Sequence, residues 1–141
     1  MKFRAIFINA VCFLFITMFV YAAVSKWLIF NVFISQIDKQ PFDNKYTPLL
    51  VWAIPISEVT VSLLMVFDRT RLLGLRIGTA MMILFTGYII LIMMHFFGKV
   101  PCACGGAITE FTWTQHLFFN LFFVCIGVWA LLLIRKDKQH L

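Results

Sequence analysis

The sequence predicts an all-α membrane protein: a bundle of four transmembrane helices, both termini on one side, with a Cys-X-Cys loop outside the membrane between helices three and four. Three observations predict it. The 141 residues are 62% hydrophobic and 13% charged, with a mean hydropathy of +0.96, more apolar surface than a soluble domain of this length can hide. Four apolar runs each reach the roughly 20 residues that cross a hydrocarbon core. The charged residues stand at the ends of these runs, where lysine and arginine anchor membrane helices. They form no patch or stripe, so the net charge of +6 does not describe a nucleic-acid surface. The length predicts one domain, residues 1–141.

The first span covers residues 5–24. Lys2 and Arg4 resemble the n-region of a signal peptide, and Val20-Tyr21-Ala22 is a weak cleavage-like site. The apolar stretch exceeds the roughly 7–15 residues of a signal h-region, so it reads as a retained anchor. The external loop 25–47 follows. Its first half carries Trp27, Leu28, Ile29, Phe30, Val32, Phe33 and Ile34. That pattern continues helix one or makes a short helix in the interface over 26–37. Pro41, Asp43 and Asn44 then supply a turn.

The second span covers 48–67, with Pro55 expected to kink it and free a carbonyl. The link Asp68-Arg69-Thr70-Arg71 is so short that spans two and three must form an antiparallel hairpin. The third span covers 77–97, with Arg76 snorkelling from its edge. The fourth covers 113–134. It opens on Thr112-Trp113-Thr114-Gln115, a capping box with Thr112 as N-cap and Gln115 reaching back. Trp27, Tyr46, Trp52 and Trp113 read as the aromatic belt of the outer face.

Charge orients the bundle. Lys2, Arg4, Arg69, Arg71, Arg76, Arg135, Lys136 and Lys138 fall on one side; Lys26, Lys39, Lys45 and Lys99 fall on the other. The positive-inside rule makes the first set cytoplasmic, with N-in and C-in termini. In a bacterium this is a multi-pass protein of the cytoplasmic (inner) membrane, with the bilayer as its solvent and the thiol loop in the oxidising periplasm.

That loop, Pro101-Cys102-Ala103-Cys104-Gly105-Gly106, is the most informative segment. Two thiols so placed can exchange disulfides, bind a soft metal or brace the loop. A Cys102–Cys104 disulfide closes a small, strained ring that is readily reduced. So small a loop yields little closure entropy as a brace. The two glycines permit close approach of a partner chain. His95 and His116 flank the loop. Either can act as a base that raises thiolate content. With Cys102 and Cys104 they also compose a two-sulfur, two-nitrogen metal set, and both equally suit interfacial hydrogen bonding. Within the membrane Glu58 stands out, since a carboxylate there costs about 2.5–3.5 kcal/mol to insert. It should face the bundle interior, with Lys26, Ser57, Thr86 or Tyr88 as partner, either as a proton acceptor or as a structural hydrogen-bonding group. Cys12 and Cys125 read as small packing residues, and Met81-Met82 and Met93-Met94 as packing rather than copper ligands.

The chain resembles the MauE branch of the MauE/DoxX membrane proteins. The resemblance is carried by Ser25-Lys26, Ile54-Pro55-Ile56-Ser57-Glu58, Phe85-Thr86-Gly87-Tyr88, and the stretch from Pro101 through Trp113-Thr114-Gln115-His116 to Asn120. It implies a four-helix inner-membrane protein tied to periplasmic disulfide chemistry. Such proteins assist maturation of a disulfide-rich methylamine dehydrogenase subunit, beside a thioredoxin-like partner. The chain also looks like vitamin K epoxide reductase proteins, which pass electrons between thiols and a quinone, and this brings in a quinone as candidate cofactor. On the reading of the residues above, Cys102, Cys104, Glu58, His95 and His116 are the candidate catalytic residues. The chain departs from those proteins in having CxC rather than CxxC and no cysteine in loop 25–47, so a second thiol pair would come from another protein. Two further readings stand beside a thiol–disulfide or quinone oxidoreductase: a soft-metal carrier of copper or mercury type, and a non-catalytic subunit of a membrane complex.

Overall fold

The computed structural model describes residues 2–98 and 111–139. Pro101–Gly106, with Cys102 and Cys104, lies outside the described residues. Five α-helices and one 3-10 turn account for nearly all the rest: α1 Lys2–Leu28, α2 Phe30–Asp38, the turn Asn44–Tyr46, α3 Thr47–Val66, α4 Arg71–Met93 and α5 Trp113–Gln139. Helices α1, α3, α4 and α5 are each long and apolar enough to cross a membrane.

These helices are longer than the apolar runs or displaced from them. Helix α1 spans 27 residues, about 40 Å of helix against a hydrocarbon core of about 30 Å. Hydropathy marks the lipid-immersed part of a helix, whereas the backbone ladder continues through charged residues at either end. Helix α4 begins at Arg71 and stops at Met93, where the apolar run suggested 77–97. The stop is a backbone device. The amide of Phe96 donates to the Leu91 carbonyl and that of His95 to Ile92, a Schellman closure. His95, at φ 55°, holds the left-handed position usually given to glycine, which is why no glycine signalled it.

Loop 25–47 is largely helical. Helix α1 runs to Leu28, breaks at Ile29 (φ −112°, ψ 39°), and α2 follows. Helix α2 buries Phe33 and Ile37 against Val51 of α3, with Phe30, Ile34, Leu50 and Ile54 packed around them. The Thr47 hydroxyl donates to Asp38 at 2.6 Å, tying the end of α2 to the start of α3. Pro48 sits in the first turn of α3, where its missing amide costs nothing. The chain stays helical through Pro55, which is buried.

The four long helices pack in the cyclic order α1, α3, α4, α5. The α3–α4 hairpin is closed by the Thr70 hydroxyl on the Leu64 carbonyl at 2.8 Å and by Arg71, which reaches Asp68, the Met65 carbonyl and Asn9 of α1. At this end Gly74 lets α4 approach closely: a Cβ there would lie 2.9 Å from the Met65 amide nitrogen. The half of the bundle nearer the termini is filled by Val11, Phe15, Phe19, Val61, Met65, Leu75, Phe123 and Ala130. The other half, beneath α2, contains a cavity.

Candidate functional site

The cavity has a volume of about 330 Å³, within the usual range for a small-molecule site of roughly 300–1,000 Å³. Its floor is ionic. Lys26 lies in the last turn of α1, and a helical side chain leans back toward its helix N-terminus. The ammonium is thereby carried down into the bundle. It donates to both oxygens of Glu58, at 2.9 and 3.2 Å, and to the Ala22 carbonyl at 3.3 Å. These three acceptors use all three of its N–H groups. Both side chains are nearly inaccessible, at 6% and 4% exposure. The Phe33 ring lies 6.0 Å from the ammonium, giving a cation–π contact at the edge of its useful range.

Glu58 is eleven residues below the start of α3, about 16 Å along the helix and so near mid-bilayer. Of its expected partners, Lys26 is the one that reaches it. The Ser57 hydroxyl donates to the Ile54 carbonyl and that of Thr86 to Met82, while Tyr88 donates to Gln40 Oε1 at 2.6 Å. Gln40 in turn donates to the Gln36 carbonyl at the end of α2. Tyr88 thus fastens α4 to the segment that roofs the cavity. Phe42 stacks on Tyr88 with centroids 5.6 Å apart, and Trp113 meets it edge-on at 6.5 Å. Trp113 is therefore drawn toward the cavity wall rather than standing only in the lipid belt.

Helix α5 supplies the remaining wall through Trp113, His116 and Asn120. Their spacing of three and four puts them on one face, a signal legible in the sequence, where Trp113 reads as lipid belt and only His116 as a candidate site residue. The capping box is present: the Thr112 amide donates to Gln115 Oε1 at 2.9 Å and the Gln115 amide to Thr112 Oγ1 at 3.4 Å. It fixes the first turn of α5 and with it His116, which is buried against Phe111 and Trp113. His95 is placed differently, exposed in the turn after α4 and not among the cavity-lining residues. Among the described residues, no three His, Cys, Asp or Glu side chains are grouped to hold a metal. Cys12 is buried in the core and Cys125 faces outward, so these two thiols do not meet. Gln40 and Asn120 are site residues that sequence reasoning missed; Gln40 lies in a loop whose path no periodicity reveals.

The fold and site define a class: a multi-pass helical membrane protein whose bundle holds a cavity lined by aromatic residues and a buried ion pair. The chain belongs to the MauE family, whose model, described as methylamine utilisation protein MauE, matches residues 4–133. No curated protein and no solved structure matches the chain.

Proposed function

We propose that this chain is a thiol-redox protein of the bacterial inner membrane, with N-in and C-in termini. It would support disulfide formation in, or electron transfer to, a periplasmic thioredoxin-like or disulfide-containing partner, in the manner of methylamine dehydrogenase maturation. MauE family membership supports a membrane protein of methylamine utilisation. The observation that carries the redox reading is the cavity's position. The chain re-enters the described structure at Phe111, and Phe111, Trp113 and His116 cluster at the start of α5 beside the cavity. The segment containing Cys102 and Cys104 ends just before these residues.

Oxidation of the Cys102–Cys104 dithiol to a disulfide releases two electrons and two protons, which need an acceptor. The cavity's residues fit a quinone: aromatic and aliphatic walls from Phe85, Tyr88, Trp113 and Ile54, with His116 and Asn120 as polar groups beside the Lys26–Glu58 pair. A bound quinone would supply a two-electron, two-proton acceptor there. Glu58 retains lone pairs beyond its bonds to Lys26 and serves as a proton-holding group near mid-membrane. His116, at the start of α5, is the candidate base for the thiols.

Mass spectrometry of the purified protein across a glutathione series tests the redox reading. A reversible change of two hydrogens, lost in either Cys102→Ala or Cys104→Ala, is expected. Adding a short-chain quinone analogue to the reduced protein should drive the same oxidation. Thiols that stay reduced throughout, yet hold copper(I) or zinc stoichiometrically, would replace this reading with the soft-metal one.

A further inference from the structure

At the end of the bundle that carries both termini, α4 and α5 leave a groove of about 270 Å³ lined by Leu72, Arg76, Leu131, Leu132, Ile134 and Arg135. Among the described residues that line it are two cations and no carboxylate. Arg76 begins the second turn of α4, about 7.5 Å beyond the helix start, and is exposed on the outside of the bundle. Arg135 reaches the same groove from the last turns of α5 and is also exposed. The neighbouring Arg71 is fully engaged with Asp68, Asn9 and the Met65 carbonyl. By contrast, neither Arg76 nor Arg135 has an ion pair or hydrogen-bond partner among the described residues.

An arginine at this depth lifts its guanidinium toward the headgroup layer and must find an anion there. Guanidinium forks match phosphate oxygens two at a time. The other four lining residues are aliphatic, and Leu132 is half exposed toward the surrounding lipid. Two guanidinium side chains in an otherwise aliphatic groove complement a phosphodiester attached to an acyl chain, rather than a soluble anion.

We propose that this groove is a binding site for an anionic phospholipid. Arg76 and Arg135 hold the headgroup phosphate, and Leu131 and Leu132, deeper along α5 than Arg135, hold the upper part of one acyl chain. The bound lipid bridges α4 and α5 at the end opposite the thiol loop. This assignment does not depend on the redox reading.

Native mass spectrometry of the detergent-purified protein tests it, with added phosphatidylglycerol, phosphatidylcholine or inorganic phosphate. Phosphatidylglycerol should be retained in preference to phosphatidylcholine. The double variant R76Q/R135Q should weaken that retention roughly thirtyfold, since each basic side chain near an anionic lipid surface contributes about a fivefold factor. K2Q/R69Q removes the same charge from the same end outside the groove and should retain the lipid, which separates a site from general attraction. R76K/R135K guards against misfolding: it keeps the charge, loses the fork geometry and should fall between wild type and R76Q/R135Q. Equal retention of the two lipids by wild type, or equal losses in the two charge-removing variants, would overturn the proposal. Displacement of the lipid by millimolar inorganic phosphate would assign the groove to a soluble anion instead and overturn the lipid source.

Discussion

Replacing Lys26 or Glu58 singly should destabilise the bundle far more than replacing both. The ammonium has three acceptors, two of them Glu58 oxygens at 2.9 and 3.2 Å. Glu58→Leu therefore leaves a buried cation holding one backbone carbonyl, and Lys26→Met leaves a buried carboxylate without its counter-ion. Removing one partner of a buried pair costs about 3–5 kcal/mol. The adjoining cavity can admit water, which places the expected loss near 3 kcal/mol, at the lower end of that range. Glu58→Gln keeps an acceptor for Lys26 and should lose less, about 1–3 kcal/mol. The double variant Lys26→Met with Glu58→Leu removes both charges together and should return to within about 1–2 kcal/mol of wild type. The assay is equilibrium unfolding in mixed micelles, read by far-UV circular dichroism, with quinone-driven oxidation of Cys102 and Cys104 measured in parallel. Stability should recover in the double variant while thiol oxidation stays impaired. Single losses that add in the double variant would refute the pairing argument. Full recovery of oxidation would reduce the pair to a packing element.

Two further outcomes follow from particular positions. Gly74→Ala should lower stability by about 1–3 kcal/mol, because the new methyl group would lie 2.9 Å from the Met65 amide nitrogen and 3.0 Å from the Leu64 carbonyl carbon. Gly87→Ala in the same helix meets nothing within 4 Å and should stabilise by about 0.5–1 kcal/mol; thermal unfolding that shifts equally for both would sink the close-approach account. A membrane-impermeant thiol reagent should label Cys102 or Cys104 in intact, reduced cells, as the distribution of basic residues requires, and labelling confined to inverted vesicles would reverse the orientation.

Much of the fold is legible because hydropathy and turn chemistry act locally. The four spans, the tight α3–α4 link and the Thr112–Gln115 capping box each rest on residues close in sequence. The helix boundaries are less legible, and the physical reasons differ. Helix α1 outruns its apolar stretch because a helix ladder is indifferent to lipid. Helix α4 stops early because His95 adopts a left-handed conformation that its side chain does not announce. Glu58 is conspicuous in the sequence through its insertion cost, and Lys26 is one of the partners in its reach. Their meeting depends on how far α1 continues as a helix past residue 24. The Tyr88–Gln40 bond, joining residues 48 positions apart, depends on tertiary folding of loop 25–47 and has no local signature.

The ion pair bears on function through what it does not explain. Well-packed apolar residues of similar volume would hold α1 against α3 as firmly as a buried lysine and glutamate, or more so. Stability alone therefore gives no reason for two charges near mid-bilayer. The inner core shows the cheaper solution: Phe15, Phe19, Val61 and Met65 join the same two helices with apolar contacts. The ionic contact between these helices lies where the cavity opens among them. Both charged residues line that cavity, together with Tyr88, His116 and Asn120. A few polar groups among aromatic and aliphatic walls suit a ligand that is lipid-soluble yet carries oxygen atoms, and one that exchanges protons as well as electrons. The expected separation of stability from thiol oxidation in the Lys26→Met, Glu58→Leu double variant is the direct consequence of that placement.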